Sequence, residues 1–268
     1  MKRPVHFNRR SFLASTVALA ALLPTQIAAQ TAQKSFLDMA RDLARAPYQA
    51  STGALPAPFD GLTYDSYRGI RPLPGKTSLL PQGDEFLVDF LPPGFYFTDP
   101  VFVERQIEGA WDAMDVTPAL FDFDDRYFQN IPATSPGAGF SGLRVKYPLN
   151  SPDFTDEVAV MQGASYFRAV GKAMWYGLSA RAVAIGTGAP EPEEFPRFTN
   201  LRVHEGANGK IRIEALIDSP SLAGYLDMVI TPGIDTVMNM SVTLLPRVHR
   251  AFQEHRRQRR NTDCVDLH

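Results

Sequence analysis

Residues 197–245 read "RFTNLRVHEGANGKIRIEALIDSPSLAGYLDMVITPGIDTVMNMSVTLL". Four runs, at 197–205, 210–219, 223–233 and 236–245, alternate β-branched or aromatic residues with polar ones. A period of two marks a strand with one face buried. Gly, Pro, Asn or Asp closes each run, and Asn208-Gly209 has the composition of a tight hairpin turn. Strands this close together leave no room for crossover helices, so antiparallel pairing is expected.

The same pattern extends upstream through residues 84–91, 95–107, 142–149, 157–170 and 178–187. One helix is expected, over residues 35–46, where Phe36, Leu37, Met39, Ala40, Leu43 and Ala44 recur at helical spacing behind Ser35 as cap. A Pro/Gly/Ala-rich connector follows at 47–61, and no internal repeat appears. The fold class is mainly β, an antiparallel sandwich or barrel with one short N-terminal helix.

The first residues carry an address. "NRRSFLASTVALAALL" places Arg9 and Arg10 ahead of a short apolar run, with small residues near Ala28 and Ala29. A basic n-region, a modest apolar region and a small-residue site describe a twin-arginine export signal over residues 1–29. An uncleaved anchor is the competing reading. The expected compartment is a bacterial periplasm, with the twin-arginine export machinery as a partner. After Leu23 no apolar run is long enough for a membrane-spanning helix, so no stable membrane insertion is expected. Cys264 is the only cysteine, which excludes an intramolecular disulfide.

Charge is uneven along the chain. The formal net charge is −2, but residues 30–245 hold 17 basic residues against 26 acidic ones. That acidic body argues against nucleic acid and anionic membranes as partners and favours a neutral ligand. Residues 246–268 are instead basic, with six arginines and no strand alternation. They read as a separate, weakly structured tail.

Common catalytic constellations are missing. There is no phosphate loop, no zinc-spaced Cys or His cluster and no nucleophile elbow, so neither metal nor cofactor is expected. Asp156, Glu157, Glu193, Glu194 and Asp218 are candidate carboxylates for glycoside hydrolysis. Spacing selects no pair among them, and surface charge or turn capping competes for each.

Residues 162–185, "QGASYFRAVGKAMWYGLSARAVAI", mix flat rings with arginines. Sugars present apolar ring faces fringed with hydroxyls, which suit Tyr and Arg together. Tyr166 and Arg168 lie two apart on one run and so share a face. Tyr176 and Arg181 follow closely. The alternative is a two-sided strand pair in which Arg covers an apolar edge.

Several strings, "LTYDSYRGIRP", "FSGLRVKYPLN", "DEVAVMQGASYFRAVG", "YGLSARAVAI" and "ALIDSPSLAGYLDMVITPG", closely resemble the periplasmic glucan biosynthesis family, OpgG/OpgD (also called MdoG/MdoD). The twin-arginine signal looks like the OpgD branch. The resemblance, over roughly residues 60–245, implies a large β-sandwich of the supersandwich, galactose-mutarotase-like type with a carbohydrate cleft. It also implies a role in osmoregulated periplasmic glucan synthesis, with a β-1,2-linked glucose backbone as ligand, and a second, immunoglobulin-like domain in full-length members. Tyr166, Arg168, Tyr176, Arg181 and Glu194 are expected to line the cleft, with Glu194 holding an arginine or accepting a hydroxyl.

The family is similar to inverting endo-β-1,2-glucanases, whose catalytic Asp pair lies in His-Asp-Ser and Glu-Thr-x-Asp-Asn motifs. Neither string occurs here, so no catalytic residue is expected. The departure after residue 245 reads as a sandwich incomplete at its C-terminal end, from a shortened or frameshifted gene. A non-catalytic carbohydrate-binding module and a non-functional remnant are the alternatives.

Overall fold

Helix α1 (Phe36–Arg45) forms behind its expected cap, with the Ser35 hydroxyl accepting from the Asp38 amide at 3.1 Å. Ten residues are too few for a helix to persist alone, so packing must hold it. Phe36 and Ala40 supply that packing by burying themselves on Leu216. The computed structural model describes residues 33–247. Arg9, Arg10 and the tail from 248 onward lie outside the described residues.

A second helix, α2 (Tyr64–Arg68), was not expected from the sequence pattern. A reciprocal capping box between Thr63 and Ser66 specifies it, and it stops at Gly69. Numbered in chain order, β1 (Ile70–Pro72) and β6 (Phe121–Phe123) make a small ribbon.

The remaining strands form two six-stranded sheets. The first contains β2 (Leu80–Pro81), β3 (Leu87–Leu91), β7 (Gly142–Ser151), β8 (Phe154–Gln162), β9 (Tyr166–Ala169) and β10 (Leu178–Arg181). Its spatial order is β10-β9-β8-β7-β3-β2, antiparallel throughout. The second contains β4 (Phe102–Ile107), β5 (Ala110–Met114), β11 (Arg197–Val203), β12 (Ile211–Asp218), β13 (Leu222–Thr231) and β14 (Val237–Pro246). Its order is β14-β13-β12-β11-β4-β5.

The two sheets share one core. Val88, Phe90, Leu143, Val145 and Met161 from the first pack in the same cluster as Leu201, Val203, Ile213, Leu226 and Met228 from the second. Alternate residues of each strand point inward, as in a sandwich. The expected mainly-β sandwich with a short N-terminal helix is what the chain forms.

Three details depart from expectation. Strand β11 runs parallel to β4, not antiparallel. Strands β7 to β10 of the first sheet intervene between them in sequence, so no hairpin constrains their direction. The run at 157–170 is two strands, because Gly163 and Ser165 both take positive φ and reverse the chain. Finally, order does not stop at 245: β14 reaches Pro246, and Arg247 is 2% exposed. Its guanidinium pairs with Asp218 and donates to the carbonyls of Leu43 and Ala46 at the end of α1.

Candidate functional site

The outer face of the first sheet is where the sequence's rings and arginines come together. Strand alternation sends Phe167 into the core and Tyr166 and Arg168 outward, as their spacing predicts. Cross-strand register then builds two adjacent rows. One runs Arg181, Tyr166, Gln162, Gly142 and Leu91. The other runs Ser179, Arg168, Val160, Arg144 and Asp89. Five strands at the usual spacing make each row roughly 20 Å long. Gly142 has φ 154, and a Cβ there would run into the Met161 carbonyl. No other residue fits where the first row crosses β7.

Ion pairs hold the arginines in place. Arg168 Nη2 donates to Glu157 Oε1 at 2.5 Å, and Arg144 Nη1 lies 3.8 Å from Glu157 Oε2. Arg144 also pairs with Asp89, which Lys146 approaches to 3.7 Å. Arg181 Nη1 sits 2.5 Å from Glu193 Oε1 as an ion pair off the hydrogen-bonding line. The Arg181 guanidinium also lies 5.5 Å from the Tyr166 ring centroid and 5.3 Å from that of Phe195. Arg181 therefore bridges a carboxylate and two ring faces.

Two carboxyls on this face titrate in opposite directions. The Glu193 carboxyl is held below its ordinary value by the Thr187 hydroxyl, which donates at 2.9 Å, and by Arg181. Burial pushes the Asp89 carboxyl up in spite of its two cations. Asp89 is fully buried, and its Oδ1 has no partner among the described residues.

The expected site residues are not all together. Tyr166, Arg168 and Arg181 share the face. Tyr176 instead stands on the β9–β10 connection, 90% exposed beside Trp175, with no bond or ring contact to the other three among the described residues. Glu194 does not hold an arginine. Its carboxylate accepts from the Ser221 amide and hydroxyl at 2.9 and 2.6 Å, and its neighbour Glu193 takes the arginine. Adjacent residues of an extended chain point opposite ways, so only one of the two can face Arg181.

The other carboxylate candidates are also engaged. Asp156 accepts from the Asn150 amide at 2.9 Å, and Asp218 is buried against Arg247. Sequence reasoning missed Asp89, Arg144, Gln162 and Tyr67. Gln162 Nε2 donates to Ser141 Oγ at 2.9 Å and lies 3.5 Å from the Tyr67 hydroxyl, bringing α2 up to the same face. Among the described residues no cluster of His, Cys, Asp or Glu could hold a metal ion.

Comparison with known proteins gives the chain's family. The chain matches the family described as "Periplasmic glucan biosynthesis protein, MdoG" over residues 32–252. It is 40% identical over 212 residues to the Glucans biosynthesis protein G of Vibrio cholerae serotype O1, covering 78% of this chain and 38% of that protein. Against the protein of the same name from Rhodopseudomonas palustris it is 39% identical over 255 residues, covering 90% and 49%. The chain thus spans less than half the length of these relatives. The chain belongs to the periplasmic glucan biosynthesis protein family, MdoG.

Proposed function

We propose that the outer face of the first sheet binds a neutral glucan chain, the β-1,2-linked glucose backbone that its family membership suggests, after export by the twin-arginine route. The arrangement of Tyr166, Arg168 and Arg181 carries this reading. An exposed ring has guanidinium groups fixed beside it by Glu157 and Glu193. A pyranose can lay its C–H face on such a ring while the forks meet its hydroxyls, and prior fixing of the arginines lowers the ordering cost of binding. Charge on the face is nearly balanced, with Asp89, Glu157 and Glu193 against Arg144, Lys146, Arg168 and Arg181. A neutral ligand suits that balance.

The face binds rather than cuts. Glycoside hydrolysis needs a protonated acid and a separate base, both within reach of the glycosidic bond. Asp89 has the raised pKa of an acid but no exposure with which to meet a substrate. Glu157 and Glu193 are ion-paired.

Titration calorimetry with linear β-1,2-glucan tests the proposal. The Tyr166→Ala, Arg168→Ala double variant should bind at least roughly tenfold more weakly, the loss of one stacked ring and one charged contact. Its melting temperature should shift little, because both side chains are nearly half exposed and outside the core. Equal affinity in the two proteins would assign the stretch to edge packing instead.

A further inference from the structure

Beyond the two rows, the described surface holds a second group of exposed rings, built on a turn that its sequence should disfavour. Gly94 and Phe97 exchange both backbone hydrogen bonds, at 2.9 and 2.8 Å, so Phe95 and Tyr96 form a two-residue hairpin tip. Phe95 has φ 56, a conformation that favours glycine at such a tip. A bulky aromatic there is strained by about 1–2 kcal/mol, and such strain persists only where surrounding contacts over-determine it.

Those contacts are aromatic. The Phe95 ring lies 6.0 Å from Tyr64, 6.3 Å from Tyr67 and 4.0 Å from Tyr96, centroid to centroid. Phe95 thus acts as a pedestal. Above it Tyr96 is 82% exposed and Tyr64 56% exposed. Arg68 sets its guanidinium 5.4 Å from the Tyr64 centroid. Rings with hydroxyl tips and a neighbouring guanidinium repeat the chemistry of Tyr166 and Arg181.

The pedestal is joined to the face already described. Tyr67 stacks on Phe95, its hydroxyl donates to the Pro92 carbonyl at 3.0 Å, and that hydroxyl lies 3.5 Å from Gln162. Gln162 is the register partner of Tyr166. A chain of contacts therefore runs from Tyr166 through Gln162 and Tyr67 to Phe95, and from Phe95 to Tyr64 and Tyr96.

We infer that Tyr96 and Tyr64, held by Phe95, form a second carbohydrate platform that engages glucan chains long enough to reach past Tyr166. This rests on the first sheet's outer face being a glucan site. The strained turn then has a purpose: a glycine at residue 95 would relax the backbone but remove the ring that orients Tyr96.

Chain length separates the platform from the site it extends. Linear β-1,2-linked gluco-oligosaccharides of graded length would be titrated against the wild type, Tyr96→Ala, Phe95→Gly and Tyr166→Ala. Affinity of the wild type should rise with length and then level off. Tyr96→Ala should remove the gain seen with long chains, roughly tenfold for one stacked ring, and leave short chains unchanged. Phe95→Gly should do the same while its hairpin stays folded by circular dichroism. Tyr166→Ala should weaken every length. Equal length dependence in Tyr96→Ala and wild type would overturn the platform while leaving the main site standing. No binding by the wild type at any length would overturn both.

Discussion

The outer faces of the two sheets use the same chemistry to opposite ends. Both carry arginine–carboxylate pairs beside aromatic rings. On the second sheet these are covered or locked into one another. Helix α1 lies over Leu216, and Arg202 fills the space between Glu104, at 2.5 Å, and the Phe36 ring, at 4.1 Å. Farther along, Glu214 accepts from Tyr225 at 2.5 Å and contacts His204 at 2.8 Å, while Arg212 grips Asp227 with two bonds. On the first sheet α2 meets the face at Gln162 without covering Tyr166 and Arg168, which remain exposed. Burial, not residue type, decides how much a charged pair contributes to the fold.

The contrast can be broken most forcefully at Arg247. Replacing it with Ala leaves Asp218 buried without its cation and the end of α1 without its donor. A loss of about 3–5 kcal/mol is expected for such a pair, read from denaturant unfolding, with glucan affinity unchanged in whatever remains folded. An effect under about 1 kcal/mol, typical of exposed pairs, would mean that the second face is no more locked than the first.

Glu214 gives the next largest effect and a pH signature. Hydrogen bonding from His204 and then Tyr225 holds its carboxyl down from 4.5 to about 2. A carboxyl with a depressed folded pKa stabilises the fold above its unfolded value and loses that stability as pH falls. Stability should therefore decline between pH 4.5 and about 2, and Glu214→Gln should flatten that decline. At neutral pH the variant should be weaker by roughly 1.5–3 kcal/mol, as for other hydrogen bonds to charged groups. Thermal melts across the pH range measure both. An unflattened decline would place the acid sensitivity elsewhere.

The smallest expected effect on stability lies on the first face. Glu157→Gln disconnects Arg168, whose side chain is 47% exposed, and should lower stability by no more than about 1 kcal/mol. Its glucan affinity should fall all the same, because Arg168 loses its anchor. A stability loss as large as that of Arg247→Ala would erase the distinction between the faces.

Several elements behind this contrast could be read from the amino-acid sequence. Helix α1 was legible from Ser35 and the spacing of Phe36 and Ala40, and β11 to β14 of the second sheet from their alternation. The short strands were not: β1, β2, β5 and β6 are two to five residues long, too short to show a period. The turn at Gly163 was hidden because alternation continues on both sides of it. Tyr166 and Arg168 could be placed on one face by counting. Whether Glu193 or Glu194 meets Arg181 could not, since no periodic pattern orients that loop. Asp89 looked like one polar residue in a strand until the β3–β7 register set it against Arg144.

Arg247 has a further consequence, which concerns time. Its contacts with Leu43 and Ala46 join residues more than 200 positions apart in the chain. Contacts of such separation form late, because a long loop must close before they return any energy. During synthesis α1 emerges well before the surface it covers and the side chain that clasps its end. Until β11 and β12 are made, Phe36 lacks Arg202 and Leu216 to bury itself against. The described fold thus ties α1 to a side chain more than 200 positions away, and a nascent chain stopped short of residue 247 would leave the end of α1 without that clasp.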